Sequence, residues 1–120
     1  VRLVYICAPF RGPTEWARAE NVRNAERFAL SVWRCGAVAI SPQANSSRFD
    51  GQMPDQVFLD GYLELLRRCD ALLVCGPESA GMAAEVALAR EIALPIFYTV
   101  EELSDWIRRE ERGPLFEGVA

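Results

Sequence analysis

A chain of 120 residues, 51% apolar and 25% charged, suits one globular domain; it is too short for two and too apolar for disorder. A net charge of −4 without a single histidine excludes a polybasic nucleic-acid interface and removes the commonest metal ligand and general base. Four cysteines with no C-x-x-C pair, no signal-peptide pattern and no apolar run of membrane-spanning length together predict reduced thiols in a cytoplasmic protein that needs no metal or cofactor and spans no membrane.

The first element is a strand over Leu3–Ala8, a β-rich apolar run stopped by Pro9, Gly12 and Pro13. Thr14 is placed to cap a helix whose apolar side recurs at Val22, Ala25, Ala29 and Val32, with Phe28 beside them, and which Gly36 ends after Trp33. Ala37–Ile40 reads as a second buried strand. Ser41–Pro54 is polar and rich in breakers. It is predicted to be a long loop, and loops of that length in compact domains are often functional.

A second long helix is expected over Asp55–Cys69, with Phe58, Tyr62, Leu65 and Cys69 on one face and Asp60 on the solvated one, beside Glu64 and Arg67. Ala71–Cys75 is a third strand and Gly76–Gly81 a turn. Ser79 caps a helix that reaches about Ile92, Pro95–Tyr98 is a fourth strand, and a last helix spans Glu101–Glu111. The predicted division is a domain over residues 1–112 with a short tail over 113–120.

Strands alternating with helices imply a parallel sheet covered on both faces. Right-handed crossovers then favour a doubly wound, flavodoxin-like or Rossmann-like α/β fold of about four strands in the order 2-1-3-4. The strand order reverses between strands one and three, and ligands of such sheets bind beyond the carboxyl ends of those strands. Two breaker-rich turns leave those ends: Ala8-Pro9-Phe10-Arg11-Gly12 and Gly76-Pro77-Glu78-Ser79-Ala80-Gly81. The second opens a helix, whose free N–H groups and dipole favour an anion, with Ser79 and Arg11 as further donors. It is not a P-loop, since no Gly-Lys-Ser/Thr follows, and short βα turns use Gly and Ser for geometry alone.

Glu85 lies six residues past Ser79, too far for a capping box; Met82 holds that place. Its side chain leans back over Met82 and Gly81, and the bare glycine leaves room toward the crevice. From position alone Glu85 is either a placed functional group or a solvent-facing residue, for which Arg90 is the natural ion-pair partner. Tyr5 on strand one is either a core aromatic or a hydroxyl that reaches a carboxylate near the strand ends.

Tyr5-Ile6-Cys7-Ala8-Pro9-Phe10-Arg11-Gly12 and Ser79-Ala80-Gly81-Met82-Ala83-Ala84-Glu85 together resemble the nucleoside 2-deoxyribosyltransferase superfamily, which includes 2′-deoxynucleoside 5′-monophosphate N-hydrolases. The resemblance implies that Glu85 attacks the anomeric carbon of a nucleoside or nucleotide and displaces the base, in the manner of a retaining glycosidase, with Tyr5 orienting the carboxylate. It further implies ligand contacts from Pro9, Arg11, Gly12, Ser79, Gly81 and Met82. Ser79 with Arg11 leans toward a 5′-phosphate. It also implies a small-molecule partner rather than a nucleic acid polymer, and a homo-oligomer, for which Trp106 and Phe116 are candidate contacts.

The sequence departs from the family pattern in two places. The usual acid on the helix before strand three is replaced by Tyr62, leaving Asp50 or Asp55 to protonate the leaving base. Ser-Pro-His after strand two is here Ser41-Pro42-Gln43, and Gln43 hydrogen-bonds a base edge but is a poor proton donor. Asn21 either contacts the ligand or satisfies backbone near the helix start, and Phe10 and Trp16 either wall the base pocket or simply pack. A binding domain that has lost catalysis and a purely structural role are the competing readings.

Overall fold

The computed structural model describes the backbone of residues 1–117 and side chains through residue 110. Four strands, β1 (Leu3–Cys7), β2 (Val38–Ile40), β3 (Ala71–Val74) and β4 (Ile96–Phe97), form one parallel sheet in the order β2-β1-β3-β4. The helices are α1 (Glu15–Arg34), α2 (Pro42–Ser46), α3 (Asp55–Arg67), α4 (Ala80–Glu91) and α5 (Val100–Glu117). This is the α/β class and strand order that the sequence predicts.

The pleat sorts the core. Val4 and Ile6 on β1, with Ala71 and Leu73 on β3, turn to one face and pack with Ala25 and Val32 of α1 and Leu103 and Ile107 of α5. Tyr5 and Cys7, with Leu72 and Val74, turn to the other and pack with Leu66 of α3 and Met82, Val86 and Ala89 of α4. Each fully buried Leu of these layers contributes about 1.5–3 kcal/mol. Period two thus puts Tyr5 and Cys7 together under α4. Asp70 locks the start of the sheet, its N–H donating to Leu3 O at 2.8 Å and its Oδ2 accepting from Leu3 N at 2.7 Å.

Local signals set the helix ends. Thr14 Oγ1 accepts from Ala17 N at 3.0 Å, and Gly36 (φ 90°) takes the left-handed conformation after α1. Gly12 is fixed by proximity: a Cβ there would stand 2.9 Å from Ala17 Cβ, so only glycine lets the β1–α1 loop lie on the first turn of α1.

Three expectations need correction. The segment 41–54 is not a plain loop: Ser41 Oγ caps α2 through Ala44 N at 3.4 Å, Pro42 opens it, and a 3-10 turn follows over Ser47–Phe49. On α3, Leu66 is the fully buried residue and Leu65 only half-buried; Asp60 is exposed as expected and accepts from Gln56 Nε2 at 2.7 Å. The last helix continues past Glu111 and across position 113 to Glu117, while the side chain of Phe116 lies outside the described residues. Trp106 packs on Phe97, with ring centroids 5.2 Å apart, and under the Arg2 guanidinium. Among the described residues no helix is long and apolar enough to cross a membrane.

Candidate functional site

A cavity of about 530 Å³, within the size range of small-molecule sites, opens beyond the carboxyl ends of β1 and β3. Tyr5, Ala8 and Glu85 line it from the sheet and α4; Ser79, Ala80 and Gly81 from the start of α4; Phe10 and Arg11 from the β1–α1 loop. Pro42, Gln43, Ser46, Ser47 and Asp50 wall it from the 41–54 segment, and Asp55, Phe58, Leu59 and Tyr62 from α3.

Glu85 is 9% exposed, which rules out the solvent-facing alternative and an ion pair with the exposed Arg90. The Tyr5 hydroxyl donates to Glu85 Oε2, and Cys7 Sγ donates to Glu85 Oε1 at 3.5 Å. Burial raises the Glu85 pKa above the usual carboxylate range, while the hydrogen bonds from Tyr5 and Cys7 pull it back. Burial, then the Glu85 charge, pushes both Tyr5 and Cys7 far above their ordinary values, so each stays protonated and donates. Met82 fills the third place of the helix: its thioether accepts from Ser79 N at 3.4 Å, where a capping box would put a carboxylate. Gly81 is open on the cavity side, a Cβ there meeting only Ser79 Oγ at 3.9 Å.

Gln43 is 8% exposed; its Nε2 donates to Ala8 O at 2.5 Å, and its Oε1 has no partner among the described residues. Tyr62 accepts from Asn45 Nδ2 at 2.9 Å and donates to Ser46 Oγ at 2.5 Å, tying α3 to α2. Arg11 is not a free anion clamp. Its guanidinium reaches Asp55 Oδ1 at 2.8 Å and Asp50 Oδ1 at 3.1 Å, so the cavity mouth holds two carboxylates for one cation.

Of the residues singled out in the sequence, Tyr5, Glu85, Ser79, Gly81, Arg11 and Gln43 meet at the cavity. Pro9, Gly12, Met82 and Asn21 are not among the residues that line it. Asn21 Nδ2 donates to Phe10 O and Arg11 O, both at 3.1 Å, and so braces the loop that carries Arg11. Phe10 walls the cavity as one alternative had it, whereas Trp16 is 74% exposed and lies outside it. Phe58 and Tyr62 read from sequence as core-stripe residues; their i, i+4 spacing on α3 carries that stripe on to the cavity, which both line. Among the described residues no cluster of three or more His, Cys, Asp or Glu has metal-holding geometry.

A family model described as a domain of unknown function, DUF7768, matches residues 2–99. A solved structure, a 2-deoxyribosyltransferase from the psychrotolerant bacterium Bacillus psychrosaccharolyticus, is 17% identical, with a TM-score of 0.57 over 78% of this chain and 69% of that chain. At that identity the likeness is one of fold. No curated protein matches.

Proposed function

The chain belongs to the DUF7768 family, and we propose that this member cleaves or transfers the N-glycosidic bond of a nucleoside or nucleoside 5′-monophosphate, with Glu85 as nucleophile. The observation that carries the reading is the buried Tyr5–Glu85 hydrogen bond at the floor of a cavity large enough for such a ligand. A carboxylate oxygen of Glu85 forms a bond to the anomeric carbon, and the C–N electron pair leaves with the base nitrogen, which takes up a proton. Water or a second base then breaks the glycosyl-enzyme ester. Tyr5 holds the other oxygen and stabilises the ionised carboxylate against its burial. Apolar walls from Phe10 and Phe58 suit a base, and Gln43 with its unpartnered Oε1 suits a base N–H.

The leaving base draws its proton through Asp50 or Asp55, the acids at the mouth, or through water they order. A 5′-phosphate would have to displace one of these carboxylates from Arg11 to reach the guanidinium, and the N-terminus of α4 with Ser79 offers it other donors. The same reading takes the protein as a cytoplasmic homo-oligomer whose partner is a small molecule. Incubation with 2′-deoxynucleosides and their 5′-monophosphates, assayed for free base, tests it; release by the native protein and none by Glu85→Gln is the expected result.

One arrangement favours a second reading, a nucleotide-binding domain without catalysis: Tyr62 stands where the resemblance to the nucleoside 2-deoxyribosyltransferases leads one to expect an acid, and both nearby acids are paired with Arg11. Equal ligand binding by native protein and Glu85→Gln, with no base released by either, would support it.

A further inference from the structure

β1 offers α4 two side chains two residues apart, and the proposed mechanism has a use for only one of them. The other, Cys7, is fully buried and directs its sulfur at Glu85 Oε1, the oxygen that Tyr5 does not bind. The remaining buried thiols differ. Cys69 Sγ donates to Leu65 O at 3.5 Å and Cys75 Sγ to Leu73 O at 3.6 Å, each within its own stretch of backbone. Cys7 instead reaches a carboxylate 78 positions along the chain.

We infer that Cys7 is a positioning residue for Glu85: its thiol holds Oε1 in the free site and releases that oxygen to the ligand, so that Oε1 forms the new bond while Oε2 stays on Tyr5. A thiol is a weak donor, whereas a phenol hydrogen-bonded to a carboxylate is a strong one. Freeing Oε1 therefore costs less than freeing Oε2. The thiol keeps its proton throughout; only the Oε1 lone pair and the glycosidic electron pair move. A valine would fill the space that Cys7 occupies, but would leave a buried carboxylate oxygen with no donor.

The inference rests on the proposed glycosyl chemistry for the role of Oε1, but the hold of Cys7 on Glu85 is measurable without it. The test is the titration midpoint of Glu85, read by ¹³C NMR of protein labelled at glutamate side-chain carboxyls, in native protein, Cys7→Ala and Cys7→Ser, alongside base release from a 2′-deoxynucleoside as a function of pH. Loss of a donor to the charged form raises the midpoint in Cys7→Ala by roughly half a pH unit or more, and Cys7→Ser brings it back toward the native value. The acid limb of the pH–rate profile moves with it, and kcat of Cys7→Ala falls roughly tenfold with KM changed less than twofold. An unmoved midpoint in Cys7→Ala overturns the inference. A moved midpoint with no base release by native protein upholds the contact and defeats the proposed reaction, so the two failures are told apart.

Discussion

The Tyr5 hydroxyl and the Glu85 carboxylate, 80 positions apart in the chain, meet in a buried hydrogen bond where β1 passes beneath α4. Tyr5 belongs to the core layer that also holds Leu72, Val74 and Val86, so the carboxylate is buried and takes its hydrogen bonds from Tyr5 and Cys7.

That burial has a pH signature. The folded pKa of Glu85 is raised above its unfolded value, so the folded protein retains a proton that the unfolded chain gives up. The associated stability is complete below the ordinary carboxylate range and is lost as pH rises through the folded value. Glu85→Gln removes this dependence. Its melting temperature should match the native one near pH 4 and exceed it at pH 8, the gap opening as pH rises. Thermal melts across that range check the sign.

Tyr5→Phe keeps the packing and removes the phenol donor, leaving Oε2 without its partner. Base release should fall by roughly one to two orders of magnitude, with its acid limb displaced to higher pH, because the ionised carboxylate has lost its stronger donor. An unchanged pH–rate profile would mean that the phenol only fills space.

Much of this was legible in the sequence, because strand alternation and helix spacing fix which residues leave the sheet at its switch point. Tyr5, Ser79, Gly81 and Glu85 meet for that reason. Side-chain pairings over long separations were not legible. Nothing local to Arg11 announces that Asp50 and Asp55 take its guanidinium, since that depends on how the 41–54 segment folds into α2 and a 3-10 turn. Cys7 was hidden in an apolar run, where a thiol reads as a small hydrophobe, although its place two residues after Tyr5 puts it on the same face of β1. Asn21 sat near the right loop, but its two bonds go to backbone carbonyls rather than into the cavity.

Two glycines separate folding from binding. Gly12→Ala forces a Cβ to within 2.9 Å of Ala17 Cβ and should cost about 1–3 kcal/mol, seen as a lower denaturant midpoint. Gly81→Ala meets no closer atom than Ser79 Oγ at 3.9 Å and should leave stability within about 0.5 kcal/mol of native. Gly81 lines the cavity, so ligand affinity measured by calorimetry should weaken by roughly tenfold.

The mouth of the cavity sets the response to charge. Converting both Asp50 and Asp55 to Asn frees the Arg11 guanidinium and removes two negative charges. The ratio of kcat/KM for a nucleoside 5′-monophosphate to that for its nucleoside should then rise by roughly tenfold at low salt, and by less at high salt. An unchanged ratio would place any phosphate away from Arg11.

The most direct test of the central claim is the intact mass of the protein quenched early in its reaction with a 2′-deoxynucleoside, followed by peptide mapping. The account predicts one deoxyribosyl unit on native protein, carried as an ester at Glu85 and absent from Glu85→Gln. Free base appearing with no adduct at Glu85, or undiminished in Glu85→Gln, would contradict it.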